Sequence, residues 1–441
     1  MMMVMLIFNR SFICVILLGL SCCSSQAFEK PFESLKNPSL SQMVHYGLTR
    51  NPRIRSAMAQ IKQAEQKVNV NEGRYWPSVE LSAGPANGIS GAFAYNATLS
   101  YTLYDWGALD SELESMNAEA RKALHKLREV RAEVGIDIIQ AYLDLILAQQ
   151  RQTFIREHQQ RIAKIENMAH IRSSGGYSDG AEMNRVLQAR YYSKQQSQQT
   201  QGDQQQARLR LQMLIQYPIT TLPPLPRNYV LLHQLLPSPK QQKELIPRAP
   251  KYMQALEQVQ IAQSQADSVK AQQLPRLVLE ASSQRRDIDG QLIRDSAVAV
   301  RFKANFNKGL ASFDTDEVER LRAEAARWDL QFTQLDLERN LNMQRETLSN
   351  LREQQQAIEQ QIDAANGLIS VYKDQFRAGF ITIPEILTAE RERFELLSQH
   401  LNVSIELLRI PYLISSELGI LDILIASHLW GMYIVPEVQF Q

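Results

Sequence analysis

The side chains best placed to do chemistry sit in two short glycine turns. The first is Gly175-Gly176-Tyr177-Ser178-Asp179-Gly180-Ala181-Glu182, and the second is Gly379-Phe380-Ile381-Thr382-Ile383-Pro384-Glu385. Gly176 to Gly180 fits G-x-S-x-G, the nucleophile elbow of serine hydrolases. That elbow needs a strand before it. A long segment of helical apolar spacing precedes this one instead, so its glycines read as turn residues. The two turns align, with Gly176 on Gly379, Asp179 on Thr382 and Glu182 on Glu385. In each, glycine ends one helix and Asp or Thr caps the next, with Glu as the capping-box partner. Glu385 therefore has a structural role first, and a part in a charged constriction would be additional. The seven histidines are scattered. No His-Glu-x-x-His, Walker loop or Rossmann fingerprint is present, so neither catalysis nor a cofactor is indicated.

Stepping outward from the turns, the chain must supply long helices to carry them. No proline occurs between Pro85 and Pro218, or between Pro275 and Pro384. Proline in a helix interior costs about 3 kcal/mol, so these gaps permit very long helices. Leu113, Met116, Ala120, Ala123, Leu127, Val130 and Val134 step by threes and fours, and Ile138, Ala141, Leu145 and Ala148 continue after an extra four-step. Val318, Leu321, Ala325, Trp328, Phe332 and Leu335 do the same in the second half, followed by Ile358, Ile362, Ala365, Ile369, Tyr372 and Phe376. Such a sustained period predicts coiled-coil-like packing. Helices over 108–172 and 310–378 would each span about 100 Å. Return helices follow over 180–216 and 383–418.

The chain is written twice. Asn51–Ala83 aligns without gaps onto Ala249–Ala281, matching Pro52 to Pro250, Ala64 to Ala262, Pro77 to Pro275 and Leu81 to Leu279. Each copy runs helix, proline, alternating segment. Phe93, Tyr95, Ala97, Leu99, Tyr101 and Leu103 alternate with Ala94, Asn96, Thr98, Ser100 and Thr102, the pattern and length of a transmembrane β-strand. Val79, Leu81 and Ala83 read as its partner, turning over Gly84–Gly91. Leu277, Leu279 and Ala281 read as pairing with Val298, Val300, Phe302 and Ala304 around Asp289-Gly290. Arg301 and Lys303 lie on the other face of that strand, as a wet lumen allows. Tyr75, Trp76, Tyr104 and Trp106 sit at the strand ends, where an interfacial aromatic belt would fall. A small soluble sheet with one wet face is the competing reading. Four strands cannot close a barrel, since the smallest membrane barrels use about eight. The membrane reading therefore requires several chains to share one.

The sequence begins like a secretory signal, with Arg10 its only charge, an apolar run from Phe12 to Leu20, and Ser25-Gln26-Ala27 as a cleavage site. Residues 1–27 are the expected signal. Cys14, Cys22 and Cys23 all lie in it, so no disulfide is expected beyond it. Gly19-Leu20-Ser21-Cys22 loosely resembles a lipobox whose apolar residue is one place off, so lipidation of Cys22 is the rival reading. Basic and acidic residues number 48 and 47. No basic stripe with interleaved aromatics is present, which argues against nucleic acid as a partner. The expected organisation is a first repeat over 28–216 with strands in 77–104. A Pro-rich linker follows over 217–248, then a second repeat over 249–420 with strands in 275–305, then a tail over 421–441.

Taken in order, these segments resemble the TolC family of outer-membrane channels over nearly the whole chain beyond the signal. The resemblance is carried by the duplicated helix-Pro-strand unit, the Leu103-Tyr104-Asp105-Trp106-Gly107 junction, and Phe376-Arg377-Ala378-Gly379 leading into Pro384-Glu385-Ile386-Leu387. It implies a mainly α fold with a small membrane β part. Each chain of a homotrimer would give four strands to a shared barrel, and the helices would continue as a periplasmic tunnel closed at its tip. It further implies an outer-membrane exit duct with no cofactor. Its partners would be a periplasmic membrane-fusion adaptor, an inner-membrane ABC or RND-type transporter and outer-membrane lipid. The acidic constriction of the family falls on Glu385 and Thr388, of which only the first is a carboxylate, and a further acidic tip position falls on Arg185. The Tyr104–Gly107 junction looks more like the type I secretion branch than the drug-efflux branch. A soluble periplasmic coiled-coil scaffold is the alternative.

Overall fold

A computed structural model describes residues 39–85, 93–175, 180–219, 236–288, 291–304 and 312–427. The expected signal with its cysteines, Gly176, Asp179, the Asp289-Gly290 turn and most of the tail lie outside the described residues. Helix α1 (Leu40–Arg50) opens on a Ser39/Gln42 capping box. It is followed by α2 (Pro52–Glu72), which starts with Pro at its first position behind an Asn51 cap. Strands β1 (Ser78–Pro85) and β2 (Phe93–Tyr104) lead into the long helix α3 (Ala108–Ser174) and then α4 (Gly180–Ile215). The second half repeats the order: α5 (Pro239–Leu245), α6 (Pro250–Gln272), β3 (Arg276–Ile288), β4 (Gln291–Lys303), the long helix α7 (Ser312–Arg377), α8 (Ile383–Glu417) and a short α9 (Leu421–Ser427). One offset relates the halves. The starts of α2 and α6, of β1 and β3, and of β2 and β4 differ by 198 each (250−52, 276−78, 291−93).

Helix α5 lies inside what reads as an irregular linker. It has a signal of its own, in Ser238 as cap, Pro239 at the first position and Gln241 closing a capping box. Three larger side-chain cores hold the helices together. The largest is built around Tyr142, Ile138, Leu145, Leu211, Leu401 and Tyr412, joining α1, α3, α4, α8 and α9. A second joins the turn at Ile246, α7 and α8 through Leu337, Leu341, Ile410 and Ile414. A third lies at the tips and holds Ile165, Val186, Ile383 and Ile386. Between α6 and α7 the contact narrows to alanines, Ala262 with Ala323 and Ala326, which lets the two backbones approach closely. Gly47 is needed where α1 crosses α3, because a Cβ there would overlap Ile138 Cδ1.

The apolar stripe Val318, Leu321, Trp328, Phe332 and Leu335 does not pack within the chain, in contrast to the packing its spacing suggests. Trp328 is 62% exposed and Phe332 and Leu335 are 65% exposed. The reason is topological: α7 packs mainly on α6, α8 and the turn before α6, whereas α3 is flanked by α1, α2, α4, α6, α8 and α9. Among the described residues no helix is long and apolar enough to cross a membrane.

Candidate channel wall and helical tip

The four strands form one antiparallel sheet in the order β1-β2-β3-β4. Its register sorts side chains onto two faces. One face carries Glu80, Thr98, Ser100, Glu280, Ser282 and Arg301. The other carries Val79, Leu81, Leu99, Leu279, Val298 and Val300. On the polar face Glu280 is buried between Arg301, at 3.2 Å, and Lys303. Sequence reading had placed the two cations on a wet face and missed the carboxylate they share. Its position opposite Ala299 in the register is the signal that would have found it. Below this face opens a cavity of about 1010 Å³ edged by Ser100, Thr102, Arg276, Lys303, Glu112 and Glu319. The opposite face is apolar yet uncovered, with Leu81, Val298 and Phe302 all highly exposed. A mostly apolar, uncovered face and a polar face with paired charges match the alternation expected of a barrel wall with lipid outside and lumen inside.

The sheet meets the helices at the four aromatic residues. Tyr75, Trp76, Tyr104 and Trp106 are all exposed. A bulge between Thr102 and Tyr104 turns Tyr104 onto the apolar face opposite Leu277. Tyr104 and Trp106 pack edge-to-face with centroids 5.0 Å apart, and the Trp106 indole donates to the Pro275 carbonyl at 3.0 Å. The chain then turns through two left-handed residues, Trp106 at φ 63° and Gly107 at φ 80°. Asp105 caps the new helix by accepting from Gly107 N at 3.2 Å and Leu109 N at 2.9 Å. Tyr75 donates to Asp110, fixing α2 against the start of α3.

At the far end, α7 closes in a Schellman motif. Phe380 N donates to Gln375 O at 2.9 Å and Gly379 N to Phe376 O at 3.0 Å, with Gly379 at φ 83°. Thr382 and Glu385 then form the capping box that starts α8. The Glu385 carboxyl is held below its ordinary value, first by the Thr382 hydroxyl and further by the Arg185 charge. Arg185 and Glu385 are both exposed. Thr388 is exposed and its hydroxyl donates back to the Pro384 carbonyl at 2.9 Å. Glu182 lies 4.0 Å from Arg172, whose guanidinium covers the Phe376 ring at 5.1 Å.

A further cluster near the tip escaped the sequence. Glu390 is 1% exposed, with Lys373 Nζ at 3.2 Å and Arg161 Nη1 at 3.6 Å. These three residues tie α8, α7 and α3 together beside a cavity of about 300 Å³. One turn away His158 stacks on Phe394 with centroids 4.6 Å apart. Burial pushes its pKa down to about 4, with Arg161 and Arg393 acting the same way and Glu390 opposing. No local pattern marks these residues, because the cluster exists only once separate helices are packed.

A four-stranded sheet is continued by paired long helices to capped tips, a fold also seen in solved outer-membrane channels. The fold matches three such channels. VceC of Vibrio cholerae has TM-score 0.75 at 15% identity, covering 86% of this chain and 96% of that one. The Neisseria gonorrhoeae MtrE outer membrane channel, solved in its open state, has TM-score 0.72 at 17% identity over 87% and 90%. The Campylobacter jejuni CmeC outer membrane channel has TM-score 0.70 at 14% identity over 87% and 86%. No curated protein matches the sequence. Residues 44–215 match the family described as Outer membrane efflux protein.

Proposed function

We propose that the chain is one of three identical subunits of an outer-membrane exit duct that serves a tripartite export system, in type I protein secretion or multidrug efflux. The duct is a passive conduit. Its tips dock a periplasmic adaptor, and an inner-membrane transporter supplies the energy. The observation that carries this reading is the sheet, in which a mostly apolar face is uncovered, a polar face holds paired charges, and both edges β1 and β4 are unpaired among the described residues. Uncovered strand edges are sites for pairing with another chain. Three copies make a closed barrel of roughly the size that leaves a lumen, where one copy makes none. The open stripe on α7 is covered by a neighbouring copy in the same arrangement. At the tip, Glu385, Thr388 and Arg185, together with Glu182 and Gly379 of the described residues, line the gate.

Purified protein in planar bilayers is expected to conduct, as trimers. A well-folded, membrane-extracted sample with no channel activity would sink the reading in favour of a periplasmic scaffold. The gate is tested by Glu385→Gln, which keeps the capping box. A changed cation selectivity assigns Glu385 to the constriction, and an unchanged one leaves it only the cap.

A further inference from the structure

The apolar face of the sheet ends on a row that is not apolar. Tyr95 on β2 is registered with Arg285 on β3, and Arg285 with Arg294 on β4. All three belong to the face that carries Leu99, Leu279 and Val298, because they are an even number of residues away from these along their strands. One step nearer the helices, Ser283 and Ser296 hydrogen-bond at 3.2 Å, which places the side chains of this face side by side across β3 and β4. Like charges directly opposite in an antiparallel pair destabilise it. Neither arginine has an ion-pair partner among the described residues. Two opposed guanidinium groups on a lipid-facing surface therefore lack the anion that would make the pairing favourable.

The height of the row says which anion it meets. Tyr104, in the aromatic belt at the helix end, and Tyr95 lie on the same face, nine residues apart along β2. At about 3.4 Å per residue that is roughly 30 Å along the strand. A tilt of roughly 40° leaves about 23 Å across the membrane, close to the roughly 25 Å apolar band of such barrels. The row therefore stands at the level of the outer-leaflet headgroups, one hydrocarbon thickness from the belt. Guanidinium pairs bind phosphate through forked, charge-assisted hydrogen bonds, and a tyrosine hydroxyl beside them adds a donor.

We infer that Arg285 and Arg294, with Tyr95, form a binding site on the outside of the barrel for the phosphate groups of outer-leaflet lipid. The inference rests on the barrel reading above. The site anchors a phosphorylated glycolipid against the wall, and the apolar rows beneath take its acyl chains. It occurs once per chain, since the matching row on β1 offers Ala83.

The test uses the full mature protein, extracted in detergent and inserted in vesicles. Bound lipid is counted by native mass spectrometry after adding bisphosphorylated lipid A, its dephosphorylated form or phosphatidylethanolamine. Wild type is expected to retain lipid A over the other two, and Arg285→Gln/Arg294→Gln to lose roughly tenfold of that retention. The single change Arg294→Gln, at the sheet edge, is read in parallel should the double variant fold poorly. Arg352→Gln, on a long helix, serves as the control with unchanged retention. Equal retention of lipid A by wild type and either folded variant overturns the inference. Displacement of lipid A by millimolar inorganic phosphate also overturns it, assigning the row to free anions. A wild type that fails to insert overturns the barrel reading itself, a result separable from the others.

Discussion

The two long helices have the same length class, the same place in their repeats and different surroundings. Helix α3, of 67 residues, is sheathed: Ile138, Tyr142 and Leu145 along its middle are essentially inaccessible. Helix α7, of 66 residues, keeps one apolar stripe inside, through Leu337, Leu341 and Leu348, and leaves a second one bare through Trp328, Phe332 and Leu335. The two long helices are similar, and the position of each in the array decides which is sheathed and which keeps an exposed stripe. Periodicity alone does not distinguish an intrachain seam from an interchain one, since both follow from burying apolar side chains every three or four residues.

The contrast breaks most visibly under a carboxylate. Leu145→Asp buries an unpaired charge in the main core and is expected to cost about 4 kcal/mol or more, read as loss of the cooperative thermal transition. Phe332→Glu on α7 is expected to keep the helical circular dichroism and abolish the trimer, removing about 2 kcal/mol of apolar burial at each seam. Unfolding by Phe332→Glu as complete as that by Leu145→Asp would erase the distinction.

The next effect concerns pH at the place where α3 is tied to α8. His158 is neutral in the folded protein, with its pKa pushed down to about 4 by burial. The unfolded chain protonates near 6.5, so between these values it binds more protons than the folded one. Stability therefore falls as pH drops from about 6.5 to 4, by at most about 3 kcal/mol. His158→Phe is expected to flatten that stretch of the melting curve against pH, and an unchanged slope would move its origin elsewhere.

Glu390 sharpens the comparison further, since it is the carboxylate through which α7 and α3 are held at the tip. Glu390→Ala leaves Arg161 and Lys373 without it and is expected to cost about 2 kcal/mol, seen in denaturant midpoints. The smallest effect separates the two turns. Gly379→Ala places a Cβ on a φ of 83° and is expected to cost about 1–2 kcal/mol. Gly180→Ala meets no atom within 4 Å and gains helix propensity. A Gly379→Ala variant as stable as the parent would mean that the left-handed backbone at Gly379 carries no strain.

Much of this organisation is legible in the residues. Proline gaps and three-four steps give the long helices, and strict alternation through Phe93–Leu103 gives β2. The aligned prolines at Pro52 and Pro250 give the duplication, because each of these signals is local. What escaped depends on packing between distant segments. Arg161, Lys373 and Glu390 meet only after three helices assemble, and Glu280 reveals itself only through the β3–β4 register. Trp328 and Phe332 look like core until α7 is seen to have no neighbour on that side. At the tips the Thr382–Glu385 box was readable, whereas the pull of the Arg185 charge on the Glu385 carboxyl was not.

The bare stripe of α7 also makes the protein sensitive to dosage. In the proposed trimer, a surface carrying Trp328, Phe332 and Leu335 is covered by another copy, and three copies must meet before any copy is complete. The abundance of finished assemblies then rises as the third power of free chain while subunits are scarce. For such a trimer, a modest change in synthesis becomes a steep change in the number of finished assemblies.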